Sequence, residues 1–404
     1  MTPELKGYLL LSSIKVVVVF VALLLCVVVV TWMERRQAAF HQDRLGPNRV
    51  GPFGLFQPLA DGLKNFVKEE VIPYQGDRTM FLLAPALMFM PSVVLFAVIP
   101  FASPLPISFD FTLPLIGQFT YDGALPMIVA DLPIGILMIL AISSISVYGI
   151  VLGGWASNSK YSFLGGLRSA AQMVSYEVAL GLSVVAVLIL AGDVTLPEIV
   201  AAQQNGLWYV FPLILGFILF IISSLAELNR MPFDLPEAES ELVYGYHTEY
   251  SAMKFAMFPM GEYIALVTMS ALMATLFFGG WDIPFTTWDD GNPTVLKTLA
   301  TLSIFVFKTF AFIFTIIWIR WSLPRFRFDQ LMGLGWKVLL PTALGYLMVI
   351  ACGIWALESL GIEQGPLYGL ILFGLNLPFL VLMFGVLDSG RLVTGQHQRR
   401  KAAN

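Results

Sequence analysis

Nine stretches of this 404-residue chain are apolar for long enough to cross a hydrocarbon core of about 30 Å as helices. They fall near residues 8–32, 80–101, 125–152, 171–191, 209–226, 259–279, 296–319, 331–357 and 367–388. Backbone N–H and C=O groups find no water in lipid, so each stretch must close its hydrogen bonds internally. That requirement excludes a soluble globular domain. The composition agrees, with 57% hydrophobic and only 12% charged residues. The expected fold class is all-α, a polytopic transmembrane helical protein.

Charge asymmetry orients the spans. With the N-terminus outside, the inner segments carry Arg35, Arg36, Arg44, Arg49, Lys64, Lys68, Arg78, Lys160, Arg168, Arg230, Lys254, Arg320, Arg325 and Arg327. The outer segments keep little beyond Lys6 and Lys297. Short loops rich in Lys and Arg stay inside. Nine spans also put the basic tail at Arg399, Arg400 and Lys401 on the inner side. The ninth span is interrupted by Asn376 and Pro378, and its alternative is an apolar tail lying along the surface. Segment 8–32 runs into Trp32 and Glu34-Arg35-Arg36, which reads as an anchor rather than a cleavable signal. Cys26 and Cys352 are expected as small buried hydrophobes, and His41, His247 and His397 are too scattered for a metal or haem site. No glycine-rich phosphate cradle is present, so cofactor redox chemistry would have to come from partner subunits.

The inner face is not featureless. In loop 33–79, Arg44-Leu45-Gly46-Pro47-Asn48-Arg49 reads as a turn. After Pro52, the spacing of Leu55, Phe56, Leu59, Leu63, Phe66 and Val67 predicts an amphipathic interfacial helix near 52–70. Residues 227–254 gather Glu227, Asp234, Glu237, Glu239, Glu241 and Glu249 against Arg230 and Lys254 alone. If 236–243 is helical, Glu237 and Glu241 share a face, whereas an extended chain lines Glu237, Glu239 and Glu241 along one side. Either way neighbouring like charges raise at least one pKa and couple proton occupancy to a nearby ligand. Within the spans, Glu177 and Glu262 are each expected at a helix start, Asp131 near the start of the third span, and Lys308 inside the seventh. Ionised carboxylates in hydrocarbon are costly, so each should face protein or water. The bland alternative is a helix-end residue near the headgroups, favoured by the helix dipole. The outer segments 102–124, which contain several prolines, and 192–208 are expected only to close the bundle.

Two long motifs carry a family resemblance. One runs from Gly154-Trp155-Ala156-Ser157-Asn158-Ser159-Lys160-Tyr161 through Leu167-Arg168 and Ala171-Gln172 to Ser175-Tyr176-Glu177. The other is Ala226-Glu227-Leu228-Asn229-Arg230, then Pro232-Phe233-Asp234-Leu235-Pro236-Glu237, Glu239, Glu241-Leu242 and Glu249-Tyr250. Both resemble the H/ND1 membrane subunit family of respiratory complex I. Glu34-Arg35-Arg36, Arg44-Leu45-Gly46-Pro47-Asn48 and Leu323-Pro324-Arg325-Phe326-Arg327 add to the likeness.

The resemblance implies a proton-translocating NADH:quinone oxidoreductase of the bacterial cell inner membrane, with this chain as a subunit lacking redox centres. It implies a membrane domain over 1–357, built of eight core helices and the interfacial helix. Residues 358–404 would then be a C-terminal extension bearing the ninth helix. Quinone would be the substrate, with Glu34, Arg35, Arg36, Asp61, Phe56 and Phe233 on the quinone-chamber side. Glu177, Glu227, Glu237, Glu239, Glu241, Glu249 and Glu262 would form the proton-coupling funnel. Arg325 and Arg327 would be salt-bridge or docking groups. FMN and iron–sulfur clusters are expected in partner subunits, not here. The implied partners are other complex I membrane subunits, the soluble quinone-site subunits and lipids, with no nucleic acid. Rival readings are the equivalent subunit of an energy-converting hydrogenase or of an F420H2- or ferredoxin-linked complex, and a free-standing cation-coupled transporter.

Overall fold

The computed structural model describes residues 2–113, 117–204, 206–236, 239–284, 286, 288, 291, 293–362 and 365–388. Helix α1 (Pro3–His41) starts at Thr2, whose side chain accepts from the Leu5 N–H, and has Pro at its first turn. It outruns its apolar stretch at both ends, so Glu34-Arg35-Arg36 stand on its last turns rather than in a loop. A turn at Pro52–Gly54 leads into α2 (Gln57–Val67), which buries no residue and leaves Leu59, Leu63 and Phe66 exposed.

Asp77 then caps α3 (Arg78–Leu95), accepting from the N–H groups of Thr79 at 2.9 Å and Met80 at 3.2 Å. The segment expected to be a plain closing loop instead holds a hairpin. Strand β1 (Leu105–Leu113) pairs antiparallel with β2 (Gly117–Leu125), in register from Leu105 opposite Leu125 to Leu113 opposite Gly117. The hairpin rests on the start of α1, where a Cβ on Gly7 would lie 2.3 Å from the Thr120 carbonyl oxygen.

Helices α4 (Gly135–Ala156) and α5 (Lys160–Ala191) follow, α5 ending at Gly192 with φ +74°. Gly149 lets α4 touch α3, since a Cβ there would stand 2.8 Å from the Met88 nitrogen. The short α6 (Leu196–Gln204) precedes α7 (Ile214–Glu227). At about 1.5 Å per residue, 14 residues of α7 reach roughly 21 Å, short of a full core. Residues 209–213, expected as part of that span, form turns, and the Val210 N–H bonds the Phe277 carbonyl at 2.9 Å.

The acidic segment contributes the single turn α8 (Glu239–Leu242), and α9 (Ala252–Phe277) then runs through the middle of the bundle as its most enclosed span. Helix α10 (Val295–Ser322) leads to α11 (Phe328–Leu334), joined by a π-turn at Gly335–Leu339 to α12 (Leu340–Ser359). Helix α13 (Pro366–Asp388) passes continuously through Asn376 and Pro378. The buried Asn376 amide donates to Pro212 and Leu372 carbonyls, each at 2.7 Å, pinning α13 to the foot of α7.

Among the described residues, seven helices are long and apolar enough to span a membrane, and α7 and Leu367–Met383 are shorter apolar helices. This is a polytopic helical membrane protein. Cys26 is half-buried and Cys352 is exposed on the bundle's outer surface, so the expectation of two buried thiols fails for Cys352. The basic tail and His397 lie outside the described residues.

Candidate functional site

The C-terminal turns of α1 and α10 and the first half of α9 meet the loop after α7 around one buried carboxylate. Glu34 is 6% exposed and sits between two guanidinium groups. Arg230 Nη1 donates to its Oε2 at 2.9 Å, and Arg320 donates to its Oε1. The Arg230 guanidinium also lies 4.7 Å over the Tyr263 ring. Burial alone would lower the Arg230 pKa, but Glu34, Tyr263 and Glu262 outweigh it and raise it further, so Arg230 stays charged. Beside this hub opens a cleft of about 530 Å³, lined by Glu34, Arg35, Arg44, Tyr263, Arg320 and Trp321 among others.

The same loop supplies Asp234, whose Oδ2 accepts from Arg325 Nη2 at 3.1 Å. Burial pushes the Asp234 carboxyl up to about 6, against the opposing pull of Arg320 and Arg325. The loop's start is held by Gln172 on α5, whose Nε2 lies within 2.7 Å of the Ala226 and Phe233 carbonyls and 3.1 Å of Asn229 Oδ1.

Deeper in the bundle, Glu227 and Glu262 line one enclosed cavity of about 30 Å³ with Ser92, Ser143, Ser146 and Asn229. That volume holds about one or two water molecules. Glu262 Oε1 accepts from the Tyr246 hydroxyl at 2.8 Å, and Glu177 accepts from Ser144. Electrostatic coupling links Glu177 to Glu227. Three carboxylates from α5, α7 and α9 thus gather around a polar seam that α4 serines complete.

This arrangement can be set against known proteins. The family model described as NADH dehydrogenase matches residues 14–351. The second of the H-type NADH-quinone oxidoreductase subunits of Geobacter metallireducens is 50% identical over 348 residues, covering 86% of this chain and 96% of the relative. The chain belongs to the H/ND1 membrane subunit family of NADH-quinone oxidoreductases. The first of the H-type subunits of Geobacter sulfurreducens is 51% identical, with coverage of 83% and 92%. "NADH-ubiquinone oxidoreductase chain 1" of Chondrus crispus is 49% identical, with coverage of 85% and 97%. With its spanning helices and bacterial relatives, this H/ND1 family member is a multi-pass protein of the bacterial inner membrane, assembled with other complex I subunits.

The remaining expected residues divide. Arg35 and Asp61 form an ion pair at 2.5 Å between α1 and α2, with both side chains partly exposed. Arg36 lies over the Trp32 and Phe40 rings, at 5.6 and 5.7 Å. Phe56 is exposed at the start of α2, against Gly51. Phe233 is 3% exposed, with its ring 5.5 Å from both Tyr176 and Phe326, so within this chain it packs in the core. Glu241 pairs with Arg168 at 2.7 Å with both side chains partly exposed, and Glu249 is half-buried. Glu237 and the side chain of Glu239 lie outside the described residues, leaving the Glu237–Glu241 face undrawn. Arg327 reaches Asp329 at 3.4 Å in an exposed pair.

Glu177 and Glu262 are not helix-start residues. Helix α5 begins at Lys160 and α9 at Ala252, so both carboxylates stand well inside their helices. Buried Ser162, Ser169, Gln172 and Ser175 make the first half of α5 polar without ending it. Asp131 is exposed in the loop before α4. Lys308 donates to the carbonyls of Phe278, Gly280 and Asp282 at 2.7, 3.1 and 2.7 Å, holding the turn after α9. Arg320, Tyr263, Ser143 and Ser144 escaped sequence reading as site residues. The signal that could have found them was polarity inside apolar helices, above all the adjacent Ser143-Ser144 in α4. Among the described residues no cluster of His, Cys, Asp and Glu could hold a metal ion.

Proposed function

We infer that this chain is the membrane subunit of a proton-translocating NADH:quinone oxidoreductase, walling a quinone chamber and passing the charge of quinone reduction to buried carboxylates. The observation that carries this reading is the continuity of the site. The Glu34–Arg230–Arg320 hub borders the open cleft, and Arg230 belongs to the loop that leads back to Glu227 at the enclosed cavity. A negative charge appearing in the cleft would draw on Arg35, Arg44 and Arg320. Weakening the hold of Arg320 on Glu34 would alter the field at Asp234, which feels Arg320 and Arg230, and through Arg230 the field at Glu262. Proton redistribution among Glu262, Glu227 and Glu177 would follow.

In this reading Glu34, Arg35, Arg36, Asp61 and Phe56 flank the quinone path, and the exposed apolar face of α2 lies at the membrane interface beside its mouth. Phe233 supports the acidic loop from within the core. Glu237, Glu239, Glu241 and Glu249 continue the carboxylates toward the inner surface. The membrane domain over 1–357 comprises eight core spans, α1, α3, α4, α5, α7, α9, α10 and the α11–α12 segment, and α13 is a ninth span in the extension 358–404. The chain surrounds the quinone tail. Soluble partner subunits carry FMN and the iron–sulfur clusters and supply the residues nearest the quinone headgroup, while lipid covers the outer helix faces.

The test is mild-detergent purification, identification of the co-purifying subunits and assay of NADH-dependent quinone reduction with proton translocation. E227Q combined with E241Q should sharply lower pumping in assembled complex. Intact quinone-linked pumping in that variant would overturn the coupling assignment.

A further inference from the structure

We propose that Tyr246 is a positioning residue for proton coupling, whose phenol fixes the Glu262 carboxyl at the cavity it shares with Glu227. The proposal rests on the coupling role given to Glu262 above.

Tyr246 belongs to the acidic segment but not to its carboxylates. It is fully buried in the turn Gly245–His247, and its hydroxyl donates to Glu262 Oε1 at 2.8 Å. That bond joins the inner loop to the middle of α9. The ring is held from several sides. Phe258 meets it edge-on at 5.5 Å, and His247 lies 3.9 Å away. His247 is itself buried, and burial lowers its pKa to about 3, so it remains neutral beside the phenol at physiological pH.

The backbone beneath the ring is fixed as tightly. A Cβ on Gly165 of α5 would fall 2.7 Å from Gly245 Cα and 2.9 Å from the Tyr246 nitrogen. The turn therefore lies in direct backbone contact with α5, the helix that also carries Glu177. Displacement of the loop relative to α5 must carry the phenol with it. The rotamer of Glu262, and hence its approach to Glu227 across a cavity of about 30 Å³, is set by where the loop sits. A carboxylate without this donor could turn toward other polar groups, Arg230 being an electrostatic neighbour.

The experiment uses the intact complex carrying the variant subunit. Y246F removes one oxygen and keeps the ring. The expected result is about a tenfold fall in kcat for NADH:quinone reduction, the factor a hydrogen bond to a charged group supports. The KM for quinone and the NADH:ferricyanide rate should be unchanged. Y250F is the control, because its hydroxyl donates to the Phe81 carbonyl at 3.3 Å and touches no carboxylate among the described residues; it should stay within about twofold of the parent. A positioning role requires non-additivity, so Y246F/E262Q should be no slower than E262Q alone. Parental turnover in Y246F, or additive losses in the double variant, would overturn the proposal while leaving the role of Glu262 intact. Full coupled activity in E262Q itself would instead remove the reading on which the proposal rests.

Discussion

Replacing Glu34 by Gln tests the hub most severely, because one buried carboxylate is the shared ion-pair partner of two guanidinium groups. E34Q removes two charge-assisted bonds, each worth about 1.5–3 kcal/mol. It also leaves Arg230, itself 4% exposed, without its anionic partner. Arg320 recovers part of its share, since 22% of its side chain is exposed beside the open cleft. The net cost should be about 3–5 kcal/mol, the range for breaking a buried pair from one side. That is roughly a hundredfold or more in the population of the docked loop. The exposures predict an order as well. R320M should cost less than R230M, because Glu34 keeps its buried partner in the first case and loses it in the second. E34Q/R230M should regain part of what E34Q loses, as the uncompensated buried cation is removed. Native-gel assembly and the temperature of half-inactivation of quinone reductase activity report these differences. Parental assembly and heat resistance in E34Q would refute the argument, as would a double variant worse than the sum of its parts.

G165A should displace the Gly245–His247 turn and lower heat resistance and quinone turnover, costing about 1–3 kcal/mol, whereas G181A, with open space at its Cβ, should be neutral or slightly stabilising; thermal inactivation of both complexes decides. Asp234 takes up a proton in the folded state near pH 6 but near 3.8 when unfolded. The folded chain therefore binds more protons between these values, and this group's contribution to stability falls as pH rises through them. D234N should flatten that part of the pH profile of thermal inactivation. N376L should strip the Pro212 carbonyl of its donor at a cost of about 1–2 kcal/mol and speed proteolysis near the C-terminus.

Hydropathy alone exposed the spans, because each long helix must bury a run of apolar residues in lipid. Their ends were less legible. Helix α1 continues through Glu34-Arg35-Arg36, and α5 starts with a polar half, since protein contacts rather than lipid stabilise those turns. The β1–β2 hairpin was hidden by surrounding prolines, although Phe109 and Tyr121, opposite each other in the ladder, show the aromatic pairing typical of strands. Motifs marked the acidic segment and Glu34 but not Arg320, whose contact with Glu34 joins helices 286 positions apart. Phe233 shows what a motif leaves unsaid about packing. Its place in a motif suggested a chamber wall, and its neighbours Tyr176 and Phe326 make it a wedge beneath the loop.

The Lys308 ammonium sits where three backbone carbonyls of the turn after α9 converge. Converging carbonyls at such distances resemble the shell a dissolved potassium ion would seek. Here the cation arrives on a four-carbon tether from α10 and cannot diffuse away. The turn after α9 thus carries its own counter-cation, covalently tied to the neighbouring helix, instead of borrowing one from solution.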